Sequence, residues 1–287
     1  MNKENNKYIL CLNGGGIKGV CFLGALSALK ELKLYDKIKI LCGTSVGSLI
    51  LFNLLMDYSI DDLYYFVNIF DFNCFNNLSI DNLLIKYGLN NGNIINELLK
   101  QFLNKKKLSE NITFKEFYEY NNKLFIVTGT NLNKRTGEFF SYLTTPDMLI
   151  VEAVRISTAL PFVFTPVIKN NDYYVDGSFF NDLPIKCLFQ EPFITYIINN
   201  LNIETLNIYK YILGLYLDDK IEINNIKDYT LNLLYTLMVE NNKDDMKYCD
   251  VIKINTDNIK SYDFNLSKEE IEKMYQNGYN QVKKFYK

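Results

Sequence analysis

Ser45 stands in Gly43-Thr44-Ser45-Val46-Gly47, a Gly-x-Ser-x-Gly pattern. A serine hydroxyl becomes a nucleophile when a base takes its proton and donors await the oxyanion that forms. The flanking residues suit that task. Ile38-Lys39-Ile40-Leu41-Cys42 is apolar and β-prone, and Ser48 to Met56 is apolar and helix-prone. A strand that turns at once into a helix puts the serine at the corner with its hydroxyl outward. Gly43 and Gly47 flank the corner, because side chains there would collide where strand and helix meet. A helix starting at Ser45 turns its positive end toward an oxyanion. The rival reading is a Gly-rich loop with a capping serine. The strand before and the helix after favour the nucleophile.

The chain contains no histidine, so it cannot build a Ser-His-Asp triad. Another base must take the serine proton. Asp176 is the leading candidate. It follows the apolar stretch Tyr173-Tyr174-Val175 and precedes Gly177 and Ser178 in a tight turn. The competing reading is an Asp-Gly surface turn. No EF-hand spacing and no Cys-x-x-Cys pair is present, so neither a metal nor a cofactor is expected.

A second Gly-rich segment comes earlier. Tyr8-Ile9-Leu10-Cys11-Leu12 reads as a buried strand, followed by Asn13-Gly14-Gly15-Gly16-Ile17-Lys18-Gly19 and a helix to about Lys33. The spacing fits Gly-x-Gly-x-x-Gly, which makes a dinucleotide cradle a rival. That motif expects a carboxylate at the end of the next strand. Here the next strand ends in Cys42-Gly43-Thr44-Ser45. The Walker pattern fails too, for want of Gly-Lys-Ser/Thr. What remains is a loop of backbone N–H groups that serves Ser45. The helix between the two strands makes them parallel neighbours, with both loops at one edge of the sheet.

The other elements must frame this edge. Ser59 to Asn121 reads as helices, with capping boxes at Ser59-Ile60-Asp61-Asp62 and Thr113-Phe114-Lys115-Glu116. Leu124 to Thr130 and Gly137 to Leu143 read as strands. Thr145-Pro146 reads as the start of a helix that ends before Pro161. Tyr211 to Leu217 and Val251 to Asn255 read as strands, and Asp228 to Asn241 and Ser267 to Tyr286 as helices. Ser267-Lys268-Glu269-Glu270 is a third capping box.

The chain has 287 residues, is 48% hydrophobic and carries a net charge of −2. That suffices for one large α/β domain. No basic face suggests nucleic acid. The six cysteines show no ligand spacing, and a reduced compartment fits them. The start has no signal-peptide pattern. The longest uncharged run, Ile40 to Met56, is too short and too interrupted to span a bilayer. The expectation is a cytoplasmic protein that meets membranes at their surface. Tyr64-Tyr65-Phe66 and Phe162-Val163-Phe164 are candidate contacts, against core burial as the competing reading. Oligomeric state cannot be read from the sequence.

Gly14-Gly15-Gly16-Ile17-Lys18-Gly19, Gly43-Thr44-Ser45-Val46-Gly47 and Asp176-Gly177-Ser178 together resemble the motifs of the patatin-like phospholipases. Arg155-Ile156-Ser157-Thr158-Ala159-Leu160-Pro161 resembles the family's Ala/Ser-rich run ending in Pro. Asn181-Asp182-Leu183-Pro184 resembles its Asn-x-x-Pro. The likeness runs from Tyr8 to Ile185 and departs at Ser178, where the family usually has Gly or Ala. It implies a three-layer α/β/α fold with a largely parallel central sheet. It also implies a catalytic core over residues 8–190; no linker is long enough to separate domains, so residues 191–287 are expected to complete the same domain. It implies a lipid acyl hydrolase in which Ser45 attacks an ester and Asp176 is the base. Gly14, Gly15 and Gly16 would supply oxyanion donors, supported by Lys18, Gly19, Gly43, Gly47, Gly177 and Ser178. Lys18 has three readings: a brace for the loop, a headgroup contact, or a solvated lysine. An acyltransferase or neutral-lipid lipase with the same dyad stays open, as does a catalytically weak lipid-binding module.

Overall fold

A computed structural model describes residues 6–218, 222–239, 245–247, 249–257, 259–263 and 265–287. The chain opens with β1 (Ile9–Leu12), α1 (Val20–Glu31), β2 (Ile40–Gly43) and α2 (Val46–Leu55). A helical stretch follows: α3 (Ile60–Ile69), α4 (Ile80–Lys86), α5 (Asn93–Lys105) and α6 (Phe114–Asn121), with the short strand β3 (Gly88–Asn90) between α4 and α5. Then come β4 (Leu124–Asn131), β5 (Thr136–Phe140), α7 (Ile150–Ser157), β6 (Phe162–Phe164), β7 (Val167–Lys169) and β8 (Asp172–Asp176). The remainder is α8 (Ser178–Asn181), α9 (Phe193–Leu201), β9 (Ile212–Asp218), α10 (Ile226–Val239), β10 (Asp250–Asn255) and α11 (Lys268–Phe285).

One sheet organises the molecule, in the order β10-β9-β1-β2-β4-β8-β7, with β5 also paired to β4. β10, β9, β1, β2 and β4 run parallel, whereas β5, β8 and β7 join antiparallel. The strands are buried on both faces, so they read as continuous apolar runs. Their alternation still assigns each side chain to a face. Leu10, Leu12, Leu41, Phe125 and Val127 face a core shared with α1, α2, α5, α6 and α7. Ile9, Cys11, Ile40, Cys42, Leu124 and Ile126 face a second core closed by α9 and the 183–188 segment. Helices on both faces of a mostly parallel sheet make three layers, as the resemblance implied.

Residues beyond 191 enter this sheet directly. β9 lies beside β1, with Ile9 opposite Ile212. α11 packs on α1 so closely that a Cβ at Gly24 would overlap the Tyr275 carbonyl, and one at Gly278 the Cys21 carbonyl. All three expected capping boxes form, at Ser59, Thr113 and Ser267. α10 occupies much of the helix expected over Asp228 to Asn241; Asn241 lies outside the described residues. Among the described residues no helix is long and apolar enough to cross a membrane.

Three local expectations change. Thr145 and Pro146 do not open a helix; α7 starts at Ile150. The Pro146 and Met148 carbonyls instead accept the Lys115 and Phe114 N–H groups at the start of α6, 3.0 Å away in each case. Long-range pairing overrides the local helix signal there. β5 ends at Phe140, because Thr144 Oγ1 donates to the Phe139 carbonyl at 2.6 Å and a turn begins. The stretch read as helices with a turn at Asn90-Asn91-Gly92-Asn93 also contains β3, which runs into that turn and pairs in parallel with β6. The buried Arg155 guanidinium fastens that pair, donating to the Asn91 carbonyl at 3.1 Å and the Thr165 carbonyl at 3.0 Å.

Candidate active site

β2 ends at Gly43 and α2 starts at Val46, one residue later than expected. Ser45 occupies the corner between them with φ 52° and ψ −123°. A side chain in that region costs about 1–3 kcal/mol and persists only where its surroundings impose it. The surroundings are explicit. The Ser45 N–H donates to Ser157 Oγ at 2.9 Å, and Ser48 Oγ donates to the Ser45 carbonyl at 2.6 Å. The Gly47 N–H donates to the Thr44 carbonyl at 2.9 Å. Thr44 Oγ1 donates to the Asn181 carbonyl at 3.1 Å and accepts from Thr128 Oγ1 at 2.8 Å. The flanking glycines are dictated by contact. A Cβ at Gly43 would sit 2.6 Å from the Ser48 nitrogen, and one at Gly47 2.7 Å from Leu12.

Asp176 reaches this corner through register. Gly43 lies opposite Val127 on β4, and Gly129, two residues on, lies opposite Asp176. Two residues beyond Gly43 comes Ser45. The Ser45 and Ser178 hydroxyls lie beside the Asp176 carboxyl and favour its charged form. Its Oδ1 accepts the Ser178 N–H at 2.9 Å. The main chain is pinned as well. Its N–H donates to the Ala159 carbonyl at 3.0 Å, and its carbonyl accepts Thr130 Oγ1 at 2.9 Å. Asp176 is 1% exposed. Burial pushes its carboxyl up to about 6; the hydrogen bonds pull the other way, and nearby Asp182 adds to the rise. Gly177 leaves no room for a side chain, since a Cβ there would overlap Thr128.

The Gly-rich loop lies against the same corner. A Cβ on Gly14 would be 3.3 Å from Ser45 Cβ, and one on Gly19 would overlap Val46. Gly16 takes φ 58°, which glycine adopts without penalty. The expectation of three oxyanion donors needs correction. The Gly14 N–H donates to Asp182 Oδ1 at 3.0 Å, so it is already engaged. The Ile17 N–H is taken by the Ser261 carbonyl at 3.0 Å. The Gly15 and Gly16 N–H groups find no acceptor among the described residues. Lys18 turns inward and is 1% exposed, which excludes the solvated lysine and the headgroup contact. It lies beside Asp182 and Cys21, and burial lowers its ammonium to about 7.

Ser45, Asp176, Gly15 and Gly16 form the polar end of a cavity of about 240 Å³. Leu49, Phe66, Phe70, Phe75, Phe102 and Phe164 line the rest. Phe66 and Phe164 therefore face this cavity. Of the two stretches read as lipid contacts, Tyr65 at 66% and Phe162 at 49% are the residues left exposed.

Asp182, Asn13 and Ser157 stand inside motifs quoted from the sequence, but sequence reasoning assigns none of them a task. Asn13 donates to Asp182 Oδ2 at 3.0 Å and accepts the Leu217 N–H at 2.9 Å. No spacing distinguishes these from ordinary polar residues, because their partners lie more than 100 positions away.

A nucleophile, a carboxylate and free N–H donors facing an apolar cavity suit acyl transfer from a lipid-like ester. A family model described as patatin-like phospholipase matches residues 10–189. The chain belongs to the patatin-like phospholipase family. It is 36% identical over 201 residues to a probable lipid hydrolase of Invertebrate iridescent virus 6, covering 64% of this chain and 68% of that protein. It is 32% identical over 288 residues to an uncharacterised protein of Acanthamoeba polyphaga mimivirus, covering 96% and 92%. Among solved structures, VipD from Legionella pneumophila superposes with a TM-score of 0.64 at 16% identity, over 98% of this chain and 67% of that one. That last likeness is one of fold.

Proposed function

We propose that this patatin-like chain is a phospholipase-type lipid acyl hydrolase working through a Ser45–Asp176 dyad. Ionised Asp176 takes the Ser45 proton as the hydroxyl oxygen attacks an ester carbonyl. The Gly15 and Gly16 N–H groups, with the start of α2, stabilise the tetrahedral oxyanion. The leaving alcohol collects the proton from Asp176, and the acyl group stays on Ser45. Water, deprotonated by the same carboxylate, then releases the acid. The apolar cavity receives the acyl chain. The observation that carries this reading is Ser45, held at a strained corner beside the buried Asp176 carboxyl, with both lining one apolar cavity. We place residues 191–287 in the same domain; the pairing of β9 with β1 supports this.

The test is product release from phosphatidylcholine vesicles by wild type and Ser45→Ala. Free fatty acid should appear with the wild type and vanish with folded Ser45→Ala. Equal release by both would sink the dyad reading. Transfer of the acyl group to an added alcohol, with no free acid, would favour an acyltransferase.

A further inference from the structure

We propose that Asp182 is a positioning residue whose carboxylate, held beside the Lys18 ammonium, sets the Gly-rich loop so that Gly15 and Gly16 face the oxyanion. The proposal rests on the reading of Ser45 and Asp176 given above. One carboxylate gathers three strand ends. Its Oδ1 takes the Gly14 N–H at 3.0 Å, after β1. Its Oδ2 takes Asn13 Nδ2 at 3.0 Å, and Asn13 in turn holds the Leu217 N–H of β9 at 2.9 Å. The Ser178 hydroxyl, two residues past Asp176, lies beside it as well, both being against Gly14. The residue is half-buried, but its carboxyl points inward and is desolvated.

The Gly14 N–H is thereby fixed, and peptide planarity leaves the next units two soft dihedrals each. The Ile17 N–H is also held, by the Ser261 carbonyl at 3.0 Å, so the units between are anchored at both ends and the Gly15 and Gly16 N–H groups are aimed. A charged carboxylate can accept on both oxygens at once, whereas an amide offers one acceptor and one donor. The charge matters for that reason, and Lys18 balances it from within the same loop.

Burial makes that balance sensitive to pH. The Lys18 ammonium lies at about 7. With Asp182 ionised the pair is complete below that pH; as pH rises through it, Asp182 loses its counter-charge and the loop loses its brace, and because burial also raises the Asp182 carboxyl, acid discharges the pair from the other side. Asp176 must be ionised, which requires pH above about 6. The two demands give a bell-shaped rate profile with a narrow top. Other groups facing the pair are Cys21 on α1, pushed up to about 12, and Tyr216 on β9, pushed higher still. Both stay neutral across this range. Asp257 lies near enough to Cys21 to add to its rise.

The experiment follows hydrolysis of 4-nitrophenyl butyrate by the full chain over roughly pH 5 to 10. Asp182→Asn should lower kcat about 10²-fold with little change in KM, the penalty of a misaligned site. Lys18→Met should lose the alkaline limb. The double variant, with no unpaired charge, should recover activity relative to Lys18→Met and show no alkaline limb. If either single variant fails to fold by circular dichroism, the double variant against wild type carries the comparison. Wild-type kcat in Asp182→Asn, or an unchanged alkaline limb in Lys18→Met or the double variant, would overturn the proposal.

A second readout does not need activity. The Gly14 amide proton, bonded to a carboxylate, should shift downfield in NMR spectra. It should move with pH through the Lys18 titration in wild type and stay still in Lys18→Met. A protein that is inactive and unlabelled at Ser45 refutes the proposed function, and the Gly14 resonance then decides the brace alone. A Gly14 resonance that ignores pH in wild type refutes the brace.

Discussion

Asp176 holds its proton up to about pH 6 because burial disfavours its charge. The unfolded chain releases that proton near 3.8. Between those values the native state binds more protons, so stability falls as pH rises, and the loss is complete above about 6. Roughly 3 kcal/mol is at stake at 1.36 kcal/mol per unit. Asp176→Asn should therefore melt higher than wild type at pH 8 while being inactive, and the gap should close toward pH 4. Calorimetry at both pH values checks this; an equal gap at both would contradict it. Ser178→Ala removes a hydroxyl beside Asp176 that holds its carboxyl down. It should move the acid limb of the rate profile upward, and a limb that stays or falls would contradict that role. At this scale the sequence is informative where spacing encodes geometry. Gly43 and Gly47 mark the corner because a Cβ at either would strike backbone or a neighbouring strand. Asp182 is not legible, since its task depends on which carboxylate faces Gly14, 168 positions away in sequence.

Among the elements, those set by local chemistry were readable. β1, β2 and β4 are apolar runs, and the three capping boxes close as their sequences require. Elements of three residues were not. β3 and β6 exist because each completes the other, with Arg155 fastening their ends. The position of Asp176 carries the same lesson. β8 runs antiparallel, and β4 extends past β2 far enough to carry Asp176 level with Ser45. The contact of α1 with α11 is a prediction at this scale. Gly24→Ala drives a methyl into the Tyr275 carbonyl and should destabilise the fold by about 1–3 kcal/mol. Urea unfolding measures it, and a neutral outcome would mean α11 can shift freely.

The whole molecule presents an apolar rim beside its cavity rather than a charged face. Tyr65 and Phe162 are exposed on elements that also line the cavity, and the net charge is only −2. Binding to phosphatidylcholine vesicles should thus change little between low and moderate salt, because screening weakens charge attraction and not apolar burial. Replacing both residues with serine should weaken it; binding that collapses with salt would assign the driving force to charge. The central claim is that Asp176 activates Ser45 in a chain without histidine. Its most direct test is the rate of labelling by a fluorophosphonate, read by mass spectrometry of the peptide that carries Ser45. Wild type should be labelled there, with a rate that rises through the Asp176 titration near pH 6. Folded Asp176→Asn should react about 10²–10⁴-fold more slowly, the usual contribution of a positioned general base. Labelling of Asp176→Asn at the wild-type rate, or of wild type at a residue other than Ser45, would contradict the account.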